Sequence, residues 1–209
     1  MYQDFIQTEE ENLIEEAQHG NSLAAGRLVQ LWYERIYNYA YKFLGSKELA
    51  SEVSQKTFIA VYKNIGSLQD RSKFKSWIYT IVANKCKEEH RKKKRWSILS
   101  FDQILPNNKE VEAESPAWEV SKPLDTNPEK HYMQSELGDI IRKCMSKLPA
   151  EQREVLIMKE YEGLKFREIA DVLQISENTA KSRLYYALDA MRKILNKENI
   201  NKETVSYEY

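Results

Sequence analysis

The chain has 209 residues, 42% of them hydrophobic and 31% charged, and its formal net charge is zero. Glycine (6) and proline (5) are too scarce for an all-β fold with many turns, and no apolar run reaches the ~18 residues that cross a bilayer. The two cysteines form no CxxC pair, the three histidines are isolated, and no phosphate-binding loop occurs, so nothing in the sequence indicates a metal, a cofactor or an enzyme.

The first 20 residues are acidic, with six Asp or Glu and no Lys or Arg, and they lack the blocks of a secretory signal. We therefore expect a cytoplasmic protein. Apolar residues then recur at helical spacing as far as Phe43, with a break at Gly20 and a cap at Asn21 or Ser22. The stripe expected to be buried begins with Leu13, Ile14, Ala17, Ala24, Leu28, Leu31 and Trp32.

A third helix is predicted after Gly45, from Leu49 to Val61, and a fourth begins at Phe74. The fourth helix runs into the basic cluster 91–95. Residues 71–95 hold ten bases against two acids, so a neutral chain carries a strongly basic segment that a polyanion would bind. The alternative for the cluster 91–95 is a solvated helix end. The helical spacing of Trp77 predicts that it is a core residue, and the alternative is that it contacts a DNA base directly.

Residues 97–134 contain four of the five prolines and lose the helical periodicity, which predicts a flexible linker. Helical patterns return from 135, with helices predicted at about 151–161, 165–173 and 177–196. The predicted fold is all-α, with two small helical domains joined by the linker. The N-terminal domain is 1–96, the C-terminal helix-turn-helix domain is 135–200, and the tail is 201–209.

Residues 164–184 have the pattern of a helix-turn-helix. Ala170 and Ala180 are the small residues that let the two helices cross, and Ile175 is the apolar residue of the turn. Ser176 is the predicted N-cap of the second helix. Gln174 stands where such turns often have Gly, and a left-handed residue with a side chain costs about 1 kcal/mol.

The second helix of this motif has a buried stripe and an opposite polar face. The predicted stripe consists of Ala180, Leu184, Ala187, Leu188, Met191 and Leu195. The polar face carries Asn178, Thr179, Ser182, Tyr185 and Tyr186, whose side chains can bind the base edges in the major groove of DNA. Lys181 and Arg183 lie on the two sides of this face, where they could reach DNA phosphates. The alternative is an ordinary amphipathic helix with a solvated face.

The segment LPAEQREVLIMKEYEGLKFREIADVLQISENTAKSRLYYALDAMRKIL, at 148–195, resembles the C-terminal domain of the extracytoplasmic-function (ECF) sigma factors of bacterial RNA polymerase. ELASEVSQKTFIAVYKNI, at 48–65, resembles their polymerase-binding helix. KFKSWIYTIVANKCKEEHRKKKR, at 73–95, resembles their promoter-melting helix. The three segments occur in the order that the family has, with the linker in the expected place.

The resemblance implies that the N-terminal domain binds the largest polymerase subunit and opens the −10 element, and that the C-terminal domain binds the second-largest subunit and reads the −35 element. The implied polymerase-binding residues are Glu52, Val53, Gln55 and Phe58. The implied −10 residues are Asn64, Ser67, Gln69, Arg71, Ser72, Lys75, Asn84, Arg91, Lys92 and Lys93. The implied −35 residues are Glu177, Asn178, Thr179, Lys181, Ser182, Arg183, Tyr185 and Tyr186.

Lys56 departs from the family, which usually has an acid at that position. The expected partners are core RNA polymerase, promoter DNA and an anti-sigma protein, with no membrane insertion and no chemistry of the chain's own. One alternative is a helix-turn-helix regulator that is not a polymerase subunit. The resemblance of segment 73–95 to the promoter-melting helix argues against this alternative. The other is a nucleic-acid-processing enzyme, which would need clustered acids or histidines for a metal.

Overall fold

The computed structural model describes the backbone of residues 2–101 and 138–197 and the side chains of 9–95 and 138–197. Every regular element in these ranges is a helix, which confirms the predicted fold class. The predicted tail and most of the predicted linker lie outside these ranges. Helix α4, Phe74–Phe101, nevertheless continues beyond residue 97, where we predicted the linker to begin.

The N-terminal unit is built around α2, which packs against the other three helices of the unit. Its core contains aromatic rings from two of these helices, including Trp32, Tyr39, Phe74 and Tyr79. The helices of the unit are α1 (Tyr2–Gln18), α2 (Ser22–Leu44), α3 (Lys47–Asn64) and α4, with short 3-10 turns at Ile65–Ser67 and Arg71–Lys73 between α3 and α4.

Local chemistry explains where these helices begin and end. The Asn21 side chain accepts hydrogen bonds from the backbone N–H groups of Leu23 (3.0 Å) and Ala24 (3.2 Å), so Asn21 is the cap of α2. Gly45 ends α2 in the left-handed region at φ 70°, which glycine adopts without steric cost. Ser46 then caps α3 by accepting from the N–H of Leu49.

The C-terminal unit also consists of helices in its described part, and they match the predicted positions. Met145, Val155, Ile169 and Leu184 contribute to its core, one from each helix. Helix α6 continues into a wider π-helical turn, Ile157–Tyr161, that the periodicity does not predict. The helices are α5 (138–146), α6 (Ala150–Leu156), α7 (Phe166–Leu173) and α8 (Glu177–Lys197).

Helices α7 and α8 form the predicted helix-turn-helix. Gln174 ends α7 in the left-handed conformation at φ 54°, as expected for a turn position where Gly is common. Ser176 caps α8 by accepting from the N–H of Thr179 at 3.0 Å. The turn therefore forms without glycine, because the packing of the two helices offsets the cost of the left-handed residue.

Two residues of the predicted buried stripes are exposed. Leu31 on α2 is 55% exposed and Leu188 on α8 is 48% exposed, while full burial on α8 ends at Ala187. Helical spacing identifies residues that share a face, but burial also requires a neighbouring element that covers that face. The predicted burial of Leu31 and Leu188 was therefore wrong.

The two units contact each other directly. Helix α7 packs on α4, and the π-helical turn after α6 packs on α2. Arg153 of α6 donates a hydrogen bond to the backbone carbonyl of Phe43 on α2 at 2.7 Å. The structure is therefore a closed arrangement of the two helical units.

Candidate nucleic-acid interface

The exposed side of α8 carries the residues that we predicted to meet DNA base edges. Asn178, Thr179 and Ser182 are exposed, as are Tyr185 (69%) and Tyr186 (58%). The two tyrosine rings lie edge to face, with centroids 5.6 Å apart. A rigid helix thus presents amide, hydroxyl and flat aromatic groups together, which is the chemistry that major-groove readout uses.

The charged side chains beside this face have different surroundings. Nζ of Lys181 lies 4.0 Å from the carboxylate of Glu177 and 5.8 Å from the ring centroid of Phe166, and its side chain is exposed. Nη1 of Arg183 lies 3.6 Å from the buried carboxylate of Glu154. Lys181 is available to a phosphate, whereas Arg183 would have to leave Glu154 to reach one.

The loop between α3 and α4 is held by side chains that bond to its own backbone. Asn64 donates to a backbone carbonyl one turn earlier (2.8 Å), and the hydroxyl of Ser67 donates to the carbonyl of Asn64 (2.7 Å). The Asp70 carboxylate accepts from the N–H (3.1 Å) and the hydroxyl (2.6 Å) of Ser72. Gln69 is exposed between these two turns. The conformation of the loop is therefore stabilised by hydrogen bonds from its own side chains.

Helix α1 fixes the same loop from the side. Nε2 of Gln18 donates to the carbonyls of Ile65 (3.1 Å) and Leu68 (2.7 Å). Arg71 donates to the carboxylate of Glu15 (2.8 Å) and to the amide oxygen of Gln18 (3.2 Å). Arg71, which we expected to contact the −10 element, is thus engaged in holding the loop on α1.

Trp77 lies between the core and a cavity at the edge of this loop. Its ring centroid is 5.9 Å from that of Phe74, and its side chain is half-buried. The cavity is also lined by Ser67 and Gln69 of the loop and by Asp171 of α7. Trp77 therefore packs against the core, and one side of it lines a cavity between the two units.

The solvent side of α4 carries three of the expected −10 residues in accessible positions. Asn84, Arg91 and Lys93 are exposed. Lys92 is instead paired with acids of its own helix, and its Nζ lies 2.9 Å from the carboxylate of Glu89. The hydrogen bond from Lys92 lowers the pKa of Glu89 below its ordinary value. Arg91 and Lys93 thus offer more accessible charge to a phosphate than Lys92 does.

The predicted polymerase-binding residues on α3 divide between surface and core. Glu52 and Gln55 are exposed. Val53 is fully buried, so our expectation that it contacts a partner directly is corrected; it packs inside the N-terminal unit. Phe58 is 9% exposed and stacks on Tyr33 with centroids 6.1 Å apart. Phe58 therefore supports the surface of α3 from beneath, and Glu52 and Gln55 are the accessible members.

Lys56 points toward α4. Its Nζ lies 2.6 Å from the carboxylate of Glu52 and 3.0 Å from that of Glu89, and these hydrogen bonds raise the pKa of Lys56. Because Glu89 is buried on α4, the lysine links the two helices and its charge is balanced by acids of the same unit. The positive charge of Lys56 is thus paired with two acids of the N-terminal unit.

Sequence analysis missed the polar residues that join the two units. The hydroxyl of Tyr79 on α4 donates to the carboxylate of Glu162, and Nζ of Lys75 donates to the backbone carbonyl of Glu162 at 3.0 Å. Burial raises the pKa of the Glu162 carboxyl, and the hydrogen bond from Tyr79 and the nearby Lys42 act in the opposite direction. Lys75, an expected −10 residue, is therefore occupied by the C-terminal unit.

Glu154 makes the second link. Its carboxylate is buried, and one oxygen lies 3.0 Å from Nζ of Lys87 on α4. Burial raises its pKa, while Lys87 and Arg183 lower it. The sequence carried one signal: Glu154 shares a helix face with the apolar residues Ile157 and Met158, three and four positions later. An acid on a buried face needs a cationic partner, but the sequence does not show which one.

Within the described ranges, no helix is long and apolar enough to span a bilayer, and no group of His, Cys, Asp and Glu side chains is arranged to hold a metal ion. The exposed side of α8 and the solvent side of α4 carry hydrogen-bonding, aromatic and basic groups. These are the groups that bind nucleic acid through phosphates and bases.

Two family models match separate parts of the chain: "Sigma-70 region 2" over residues 28–96 and "Sigma-70, region 4" over residues 138–191. The RNA polymerase sigma-H factor of Pseudomonas aeruginosa is 27% identical over 191 residues, covering 90% of this chain and 95% of that protein. The ECF RNA polymerase sigma factor SigW of Bacillus subtilis is 29% identical over 182 residues, covering 87% and 94%.

Solved structures share the fold. The structure of CnrH in complex with the cytosolic domain of CnrY matches with a TM-score of 0.63 and 19% identity, covering 90% of this chain and 98% of that chain. The sigma factor RpoE from Bartonella quintana, in complex with the anti-sigma factor NepR, matches with a TM-score of 0.61 and 22% identity, covering 82% and 96%.

Proposed function

The chain belongs to the ECF sigma factors of bacterial RNA polymerase, and we propose that it directs core polymerase to specific promoters by using its two helical units for two promoter elements. The main support is that one chain combines an exposed helix-turn-helix face on α8 with a separate basic helix, α4, under an ordered loop. A helix-turn-helix regulator that works without polymerase would need only the helix-turn-helix face. The family and the structure therefore both favour a sigma factor over such a regulator.

The −35 element is read by the exposed face of α8. Asn178, Thr179 and Ser182 supply hydrogen-bonding groups, and Tyr185 and Tyr186 supply one hydroxyl each and an apolar ring for a thymine methyl. Lys181 binds a phosphate beside this face, as does Arg183 once it leaves Glu154. Glu177, in the first turn of α8, belongs to the same surface and pairs with Lys181.

The −10 element is opened and held by the N-terminal unit. An unstacked base needs a pocket or an aromatic platform, and the loop carrying Ser67 and Gln69 next to Trp77 offers both. Lys75, Arg91 and Lys93 on α4 neutralise phosphates of the separated strand. The other proposed members of this surface are Asn64, Arg71, Ser72, Asn84 and Lys92, of which Arg71 acts by fixing the loop on α1.

Core polymerase is bound through α3, by the exposed Glu52 and Gln55 with Phe58 beneath them. An anti-sigma protein is a further partner, supported by the fold shared with RpoE, which was solved with the anti-sigma factor NepR. We further propose that the factor acts in the cytoplasm, needs no cofactor and performs no catalysis. Its domains are the predicted 1–96, which α4 extends to Phe101, and 135–200.

Co-elution with core polymerase tests the proposal. The chain is expected to co-elute with core enzyme on gel filtration, and Gln55→Ala is expected to weaken the complex while its circular dichroism stays helical. Ile59→Ala, at an exposed position one turn further along α3, serves as a control for truncating a surface side chain. A chain that never co-elutes with core polymerase, yet binds duplex DNA alone as a dimer, would instead support the regulator.

A further inference from the structure

Helix α1 lies beside the loop between α3 and α4, although none of the residues proposed to contact polymerase or DNA is on this helix. It ends at Gln18, before residue 28, where the similarity to sigma-70 region 2 begins. It packs against α2 and against both 3-10 turns of the loop, Ile65–Ser67 and Arg71–Lys73. Because this loop is proposed to hold an unstacked −10 base, its contact with α1 connects the N-terminal helix to promoter recognition.

A single amide, that of Gln18, bonds to both ends of the loop. Its Nε2 donates to the backbone carbonyls of Ile65 (3.1 Å) and Leu68 (2.7 Å), in and just after the first turn. Its Oε1 accepts a hydrogen bond from Nε of Arg71 (3.2 Å), the first residue of the second turn. Both N–H groups and the oxygen of the amide are therefore used on the loop, and they fix the two turns relative to each other.

The hydrogen bonds of Gln18 enclose the part of the loop that is proposed to meet the base. Gln69 lies between Leu68 and Arg71, the two residues that Gln18 holds, and its side chain is exposed. Gln69 also lines the cavity beside Trp77. A side chain that selects a base binds more tightly when its backbone is already in place, because ordering it on binding costs free energy. Gln18 therefore fixes the backbone on both sides of a residue that is placed to select a base.

The ion pair between Glu15 and Arg71 is the other link from α1 to the loop, and it is weaker. The two charged groups are 2.8 Å apart, but the side chains are 47% and 37% exposed. An ion pair this exposed contributes little, because water screens the charges. The bonds from Gln18 are partly buried, so the carbonyls that accept them are costly to leave without a partner. The amide of Gln18 is therefore the main link between α1 and the loop.

We propose that Gln18 is a positioning residue for −10 recognition, which holds the loop in the conformation that presents Gln69 to an unstacked base. The inference rests on the proposed function, since that function assigns the loop to the −10 strand. A loop released from α1 binds the base with an affinity reduced by the fraction of molecules in which the loop is held. The released loop also adjusts to whichever base enters, so its discrimination between bases falls. Helix α1 thus takes part in base selection without touching DNA.

Two substitutions at Gln18 and one control test this positioning. Gln18→Met keeps the length of the side chain and removes the whole amide. Gln18→Glu keeps an acceptor for Arg71 but removes the donors to the two carbonyls, so it isolates the donated bonds. Asn12→Met is the matched control, because it also replaces an amide by a thioether on α1, at an exposed position. Each full-length variant is combined with core polymerase and transcribes promoters that carry each of the four bases at each −10 position. Co-elution with core enzyme is measured in parallel.

The expected effect follows from the lost hydrogen bonds, each of which contributes up to about tenfold to an equilibrium. At the one −10 position that enters the loop, both Gln18 variants should reduce the ratio of transcription between the best and the worst base by up to about tenfold. The ratios at other positions and the co-elution with core polymerase should stay parental, and Asn12→Met should behave as the parent does. The inference is overturned if Gln18→Met keeps the parental ratio. It is also overturned if Gln18→Met lowers transcription by one factor at every base, which is the result of a merely structural role.

Hydrogen exchange of the chain without polymerase separates this inference from the proposed function. The N–H groups of Leu68 and Lys73 form hydrogen bonds within the loop, so their exchange reports on its opening. Gln18→Met should increase their exchange by up to about tenfold and leave that of α8 unchanged. If the parent directs promoter-specific transcription but Gln18→Met has parental exchange and base ratios, the inference is wrong and the function stands. If the parent directs none, the proposed function is wrong, whereas the exchange still tests whether Gln18 holds the loop.

Discussion

Arg153 on α6 is a buried cation that stabilises the ends of two helices. It is 7% exposed and donates to the backbone carbonyls of Phe43 (2.7 Å), Ser146 (2.7 Å) and Leu148 (2.9 Å). Phe43 and Ser146 lie in the last turns of α2 and α5, where the helix dipole favours a positive charge. Arg153→Met keeps a long side chain but removes every donor, so the three carbonyls lose this partner.

The expected loss follows from these three bonds. A hydrogen bond from a charged donor contributes about 1.5–3 kcal/mol net. Burial of the guanidinium, which also lowers the pKa of Arg153, offsets part of that sum. We expect Arg153→Met to lower the free energy of unfolding by about 3 kcal/mol, which lowers the Tm of a domain of about 60 residues by about 15 °C. Two of the three acceptors belong to the C-terminal unit, so that unit is affected most.

Two spectroscopic signals separate the units. All four tryptophans lie at or before residue 118, so tryptophan fluorescence does not report on the C-terminal unit from within, whereas circular dichroism follows the helices of both units. Arg153→Met should lower the dichroism transition more than the fluorescence transition. Arg167→Met, an exposed position on α7, is the control and should change stability by less than about 0.5 kcal/mol. Equal melting of the two variants would refute the reasoning.

Three further predictions concern DNA and the domain boundary. Tyr186→Arg should add a preference for guanine, worth about 1–3 kcal/mol, at one −35 position. The measurement is transcription from a set of promoters that carry each of the four bases at each −35 position. An unaltered base preference would show that this residue does not read bases. Neutralising Arg91 and Lys93 together should reduce the slope of log binding constant against log salt concentration, measured for single-stranded DNA, by about 1.4, because each lost phosphate contact removes about 0.7. Lys92→Gln should change this slope less. Equal slopes for all variants would mean that the basic cluster is a solvated helix end. Limited proteolysis should cut first within 97–134 and leave two helical fragments, and early cleavage before residue 90 would contradict the boundary.

Features that depend on neighbouring residues could be predicted from the sequence. The caps at Asn21 and Ser176 and the left-handed Gln174 were found where the sequence placed them, because each is determined by a side chain and the backbone within a few residues. The polar face of α8 was predicted for the same reason, since helical spacing alone determines which residues share it.

Features that depend on distant contacts could not be predicted in this way. Phe43 and Arg153 are 110 residues apart, and Tyr79 and Glu162 are 83 apart, so no periodicity links them. The burial of Val53 shows a related limit. A family motif indicates that a position contributes to a surface, but it does not show whether the side chain lies on that surface or supports it from the core.

Transcription by reconstituted polymerase tests the central claim most directly. Core RNA polymerase is incubated with and without the full chain on a pool of bacterial promoter fragments, and the RNA start sites are mapped. With the chain present, transcripts are expected from a defined subset of promoters that share one −35 and one −10 sequence, and none of these transcripts is expected with core enzyme alone. The same start sites with and without the chain would contradict the claim that this protein selects promoters.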